Sequence, residues 1–133
     1  MQNLTYSHPE SLEQISLLEE FLDILPLKYR TIVALAYFTS SRINDILSLK
    51  VSDIKADQII INQSEFGKAK CVPILSTLKP YLTVYLNGLY QKNSDFIFPD
   101  KLGKPMKISS VFKVLKLVAQ QVNLPEMYLF VLS

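Results

Sequence analysis

The chain has 133 residues, 49% of them hydrophobic and 20% charged, with a formal net charge of +2. This suits one globular domain with a modest core and not a disordered chain. A lone Cys71 excludes an internal disulfide, a lone His8 argues against a zinc or iron site, and the longest apolar run, "TIVALAYF", is too short to cross a bilayer.

Helical signals come first along the chain. "PESLEQISLLEEFLDIL" places Pro9 at a permitted helix start and spaces Leu12, Ile15, Leu18 and Leu22 on one face, with an acidic opposite face. "PLKYRTIVALAYF" starts at Pro26 and is apolar nearly all round in its second half, the pattern of a central buried helix. "RINDILSLK" is a third helix, with Ser40 and Ser41 as candidate N-caps and with Val51 and Ile54 expected to fold back on the core. The period then changes. "QIIIN" and "CVPIL" are short apolar runs flanking "QSEFGKAK", which predicts a β-hairpin with its tip near Glu65–Lys68 and Pro73 at a strand end.

A helix returns in "STLKPYLTVYLNGLYQ", where Pro80 is tolerated because it falls in the first turn. "DFIFPDKLGKPMKI" reads as a short strand, a glycine turn and a return. "SSVFKVLKLVAQQVN" is the last helix, capped by Ser109 or Ser110, with Val111, Leu115, Val118 and Val122 inward and Lys113 and Lys116 outward, and Pro125 stops it. The order predicts an α+β fold, mainly helical with a small antiparallel sheet at one side. The N-terminus "MQNLTYSHPE" shows no signal-peptide pattern, so a cytoplasmic protein without membrane attachment is expected.

Charge is unevenly placed. Residues 1–66 hold five basic against nine acidic side chains, whereas residues 67–133 hold nine lysines against three acids. The basic half suits a polyanion, and an uneven solvated surface is the plainer alternative. Three candidate sites stand out. Arg42 lies at a predicted helix start, where a cation opposes the helix dipole but an arginine fork and free N–H groups would together clamp a phosphate. Asp45 is expected to hold that guanidinium. Lys68 and Lys70 alternate onto one face of the hairpin, in reach of a nucleic-acid groove or of a leaving oxygen. Lys101, Lys104 and Lys107, continued by Lys113 and Lys116, form a basic stripe able to follow a phosphate backbone. None of the seven tyrosines has an evident activating base, and no cofactor-binding motif is present.

These residues in this order resemble the catalytic domain of the tyrosine recombinases, the phage-integrase family. The match runs from Thr39-Ser40-Ser41-Arg42 for a Thr-Gly-Leu-Arg-like turn, through "INDILSL" and "KVSDI", to "SEFGKAKCVPI" for a Lys-Thr-Gly-Lys-like hairpin tip leading to Val-Pro. It continues in "FIFPDKLGKPM" and "VNLP", covering roughly Pro26 to Pro125. The resemblance implies site-specific DNA integration and recombination through a 3′-phosphotyrosyl link, without a cofactor. It places Arg42 on the first of two phosphate-stabilising arginines and a hairpin lysine as general acid. The turn glycine is replaced by Ser40. The family's hairpin lysine aligns with Glu65, leaving Lys68 or Lys70 as the substitute. The His-x-x-Arg segment and nucleophilic tyrosine expected after Leu124-Pro125 are replaced by "EMYLFVLS", and Tyr128 comes too early. The expectation is therefore a partial catalytic domain, without the family's N-terminal DNA-clamping domain. It binds duplex DNA weakly and salt-sensitively and does not cut it alone. The rival expectation is a non-catalytic helical protein-interaction module or decayed remnant, self-associating through its apolar tail.

Overall fold

The computed structural model describes residues 12–89 and 95–123, with side chains from Leu18 onward. Expectations about Tyr6, His8, Pro9, Tyr90, Pro125, Tyr128 and the "MYLFVL" tail lie outside these residues. The described elements run α1 (Leu12–Ile24), α2 (Leu27–Thr39), α3 (Ile43–Leu47), a 3-10 turn (Val51–Asp53), β1 (Gln58–Gln63), β2 (Lys68–Pro73), α4 (Lys79–Asn87) and α5 (Ile108–Gln121). This is the α+β order that the periodicity predicts.

Helix α2 is central because its second half is apolar nearly all round. Thr31 to Ala36 are all buried, and α1, α3 and α4 pack against it. Phe21, Leu22 and Leu25 come from the α1 side, Ile43, Ile46 and Leu47 from α3, and Leu82 and Tyr85 from α4. Helix α5 closes the core with Val111, Leu115, Val118 and Ala119, packing on α1 and α3, while Lys113 and Lys116 are exposed. Arg30 makes the α1–α2 corner. Its Nε donates to the Leu22 carbonyl at 2.8 Å, and its Nη2 donates to those of Asp23 and Leu25 at 3.2 and 3.1 Å. The guanidinium thereby satisfies carbonyls that the end of α1 leaves without helical partners.

The hairpin forms as predicted. β1 and β2 pair antiparallel, with Gln58 opposite Pro73 and Gln63 opposite Lys68, and Gly67 takes φ +67° in the turn. Ile59 and Ile61 are fully buried and β1 packs on α3, so the sheet has one face on the core. Pro73, lacking an N–H, stands at the strand end.

Four local expectations are corrected. Residues 96–105 make no strand: Phe96 bridges Lys50, and Pro99 bridges Pro105. The Asp100 and Met106 N–H groups donate to the Lys104 and Phe98 carbonyls at 2.6 and 3.2 Å on either side of the two prolines, so the predicted return is a single bridge closed by the Gly103 turn. Val51 is exposed, with its N–H given to the Asp95 carbonyl at 2.8 Å, and only Ile54 of that pair packs on the core. Helix α5 begins after Lys107, with no side-chain cap from Ser109 or Ser110. Helix α3 has five residues, and its N-cap is Arg42, not Ser40 or Ser41.

Candidate functional site

Three short segments meet where α2 gives way to α3. The first is the end of α2. Ser40 stops the helix in the left-handed conformation, φ 53° and ψ 44°. The Ser41 N–H reaches back to the Ala36 carbonyl at 2.9 Å, so this turn closes as glycine-ended helices do. The Thr39 hydroxyl donates to the Leu35 carbonyl at 2.6 Å and lies 2.8 Å from the buried Ser41 hydroxyl. Both serines thus belong to the end of α2, which is why neither caps α3.

The second segment is the start of α3. The Arg42 carbonyl accepts the Asp45 and Ile46 N–H groups at 3.0 and 3.1 Å, and the residue itself is extended, φ −76° and ψ 145°. Arg42 therefore stands just outside the helical turn. A five-residue helix has too few aligned peptides for a strong dipole, so the cation costs little there. The same shortness removes the helix-dipole half of the expected phosphate clamp and leaves the guanidinium fork.

The third segment is the hairpin. Asp45, only 6% exposed, accepts the Ser64 N–H at 3.2 Å and the Ser64 hydroxyl at 2.8 Å. Asp45 was expected to hold Arg42; it holds the hairpin tip instead. Arg42 pairs with the next tip residue, its Nη2 lying 2.9 Å from Glu65 Oε2, with the two side chains 54% and 47% exposed. Further down the hairpin, Lys70 Nζ donates to the Thr39 carbonyl at 3.2 Å and the Ser40 carbonyl at 3.4 Å. Burial pushes the Lys70 ammonium below its usual range, partly countered by the negative charge of Asp45.

The corner therefore gathers Arg42, Asp45 and Lys70 from the predicted set. Lys68 is an exposed strand-start residue opposite Gln63, with no part in these contacts. Local reading missed Glu65 as the partner of Arg42, and Ser64 as that of Asp45. The available signal was a single acid in the tip, followed within five residues by two lysines. The four charged groups, Arg42 and Lys70 against Asp45 and Glu65, sum to zero, and the two cations come from different elements.

The second basic cluster lies elsewhere. Lys101 and Lys104 ride on a turn built by Asp100, whose carboxylate accepts the Leu102 and Lys104 N–H groups at 2.8 and 3.0 Å, with Gly103 at φ +83°. These N–H groups, that of Lys104 foremost, and the Lys104 charge hold the exposed Asp100 carboxyl below its usual range. Lys28 Nζ donates to the Pro99 carbonyl at 2.8 Å, so this turn stands beside the first turn of α2. Arg42 follows the other end of that helix, about 18 Å along its axis at 1.5 Å per residue. Lys107 is the N-cap residue of α5 and Lys113 is exposed on that helix. Lys70 and Arg42 thus lie at one end of α2, and the turn that carries Lys101 and Lys104 lies beside the other.

Residues 11–128 match the phage integrase family. The chain is similar in structure to the lambda integrase catalytic core, with a TM-score of 0.67 and 18% identity over 89% of this chain and 71% of that one. It is similar also to XerA recombinase, with a TM-score of 0.71 and 19% identity over 90% of this chain and 44% of that one. A third likeness is to lambda integrase in a tetramer bound to a Holliday junction, with a TM-score of 0.67 and 19% identity over 87% of this chain. The chain spans 36% of the length of that lambda integrase. Comparison with curated protein sequences finds no match. Among the described residues, no helix is long and apolar enough to cross a membrane.

Proposed function

The chain belongs to the phage integrase family, and from that membership we propose that it binds duplex DNA, with backbone phosphates received at the α2–α3 corner by Arg42 and Lys70. The observation carrying this reading is the approach of Lys70, across 31 positions of sequence, to the Thr39 carbonyl beside Arg42. A planar fork and a compact ammonium on one corner are complementary anion ligands. The fork takes two phosphate oxygens in one plane, and the ammonium adds a point charge from another direction. Of the two hairpin lysines, Lys70 is the better candidate for the family lysine's role. Burial already pushes its pKa down, which eases proton transfer to a leaving oxygen. Lys101, Lys104, Lys107 and Lys113 would meet other phosphates of the same duplex, through charge and without reading sequence.

Cutting and rejoining DNA asks for more than this corner. Arg30, the only other arginine in the sequence, is committed to three backbone carbonyls of the α1–α2 corner. Burial pushes the Tyr85 hydroxyl up to about 12 and also raises that of Tyr37, the wrong direction for a nucleophile. We propose that the chain is a DNA-binding portion of a site-specific recombinase that does not by itself form a phosphotyrosyl link. Lambda integrase, to which it is similar, forms a tetramer on a Holliday junction, and self-association on DNA is proposed here by extension.

Fluorescence anisotropy with a labelled duplex across a salt series tests the reading. Affinity should fall steeply with salt, by about 0.9 in log K per log salt for each phosphate neutralised. Arg42→Ala or Lys70→Ala should each flatten that slope by close to one such increment. Binding indifferent to salt would refute the account, and a covalent adduct on a nicked suicide duplex would refute the inactivity.

A further inference from the structure

We infer that Glu65 is an internal competitor of DNA: the hairpin tip docks on the α2–α3 corner, and its carboxylate holds the Arg42 Nη2 until a backbone phosphate displaces it. This inference rests on the proposed phosphate role of Arg42 and adds a device that controls access to it. Three contacts place the carboxylate. Lys70 binds the lower hairpin to the Thr39 and Ser40 carbonyls. Asp45 holds Ser64 through both its N–H and its hydroxyl. Glu65, the next residue, then lies 2.9 Å from Arg42. Its position follows from the docking of the hairpin and not from a chance meeting of two long side chains on open surface.

A carboxylate oxygen and a phosphate oxygen are the same kind of acceptor for a guanidinium N–H, so Glu65 and an incoming phosphate compete for the Arg42 Nη2. The Arg42 and Glu65 side chains are 54% and 47% exposed, so an incoming phosphate reaches the pair from solvent without any rearrangement of the core. Exposed pairs are weak, and a bridge of this kind reduces the availability of its cation by about 1.5- to 5-fold. That is enough to weaken loose contact with a single phosphate while yielding to a duplex that offers several. The corner sums to zero charge with Glu65 in place and to +1 without it, so losing the carboxylate also strengthens the local field on DNA.

The test is a double-mutant cycle on the full chain, read as duplex affinity at low salt. The proteins are the parent chain, Glu65→Gln, Arg42→Ala and the double variant, with Asp57→Asn as a control for the loss of one exposed negative charge elsewhere on the hairpin. Glu65→Gln should tighten binding about 2- to 5-fold, and clearly more than Asp57→Asn. In the Arg42→Ala background the same change should shrink to the size of the control. An equal gain in both backgrounds, or a gain no larger than that of Asp57→Asn, overturns the inference while leaving DNA binding intact. No binding by any of the proteins at low salt overturns the DNA-binding reading, and the inference with it.

Discussion

Replacing Asp45 with alanine removes the latch that seats the hairpin tip. The carboxylate is only 6% exposed and accepts two bonds from Ser64, at 3.2 and 2.8 Å. Hydrogen bonds to an ionised group are worth about 1.5–3 kcal/mol each. Ser64 is exposed, so its N–H and hydroxyl recover water when the carboxylate goes, and each bond counts toward the lower end. Asp45 also lies in the first turn of α3, a favourable place for a negative charge, although the helix is short. Against these gains stands the cost of burying a carboxylate. The net loss for Asp45→Ala should be about 2–3 kcal/mol, a shift of roughly 1 M in the urea midpoint for a chain of this size. Amide exchange locates the effect: the Ser64 N–H should lose protection by at least about tenfold beyond the global change. Asp45→Asn, which keeps one acceptor, should lose about half as much. A midpoint unchanged within error, with Ser64 as protected as before, would refute the latch and the positioning of Glu65 that depends on it.

Two further outcomes follow from single positions. Ser40→Gly should raise stability by about 0.5–1 kcal/mol and Tm by about 3–5 °C, because φ 53° is strained for serine and not for glycine; a lowered Tm in a thermal melt would mean that the serine side chain outweighs the strain. Tyr85 donates its hydroxyl to the Ile97 carbonyl at 2.6 Å and stacks on Phe98 with ring centroids 5.1 Å apart. Its pKa is raised from 10.0 to about 12 in the fold, so the folded state keeps the proton that the unfolded state loses. Its contribution is therefore complete below pH 10 and disappears as pH rises through 12, an alkaline loss of up to about 2–3 kcal/mol. Tyr85→Phe should cost about 1–2 kcal/mol at neutral pH by orphaning the Ile97 carbonyl, and should lack that alkaline limb. Denaturation curves from pH 8 to 11.5 that stay parallel for the two proteins would contradict the assignment.

Much of the fold is legible along the chain because it is written in local periods. The all-apolar second half of α2, the inward stripe of α5 and the change to β-branched "QIIIN" each identify an element by spacing alone. Ser40 in the place of a turn glycine is readable only through the resemblance to the integrases, since spacing alone marks the residue as a cap for α3. Where reading along the chain failed, a partner from another element had taken over. Ser40 and Ser41 look like caps for α3 and serve the end of α2. Val51 looks like core and is carried outward by a backbone bond to Asp95. Asp45 lies close enough to Arg42 in sequence to be its partner, but Ser64 claims it.

The sequence by itself determined the helices, the hairpin, the buried stripes and the order of motifs that resembles the integrases. Tertiary structure alone decided which charges face one another. Arg42 meets Glu65 across 23 positions, and Lys70 meets Thr39 across 31. Neither separation corresponds to a helical or strand period. Both follow from β1 packing its isoleucines on α3, which carries the hairpin tip over the end of α2. Hydrophobic burial, which has no preferred direction, seats the hairpin; the short-range geometry of hydrogen bonds and ion pairs then selects the partners.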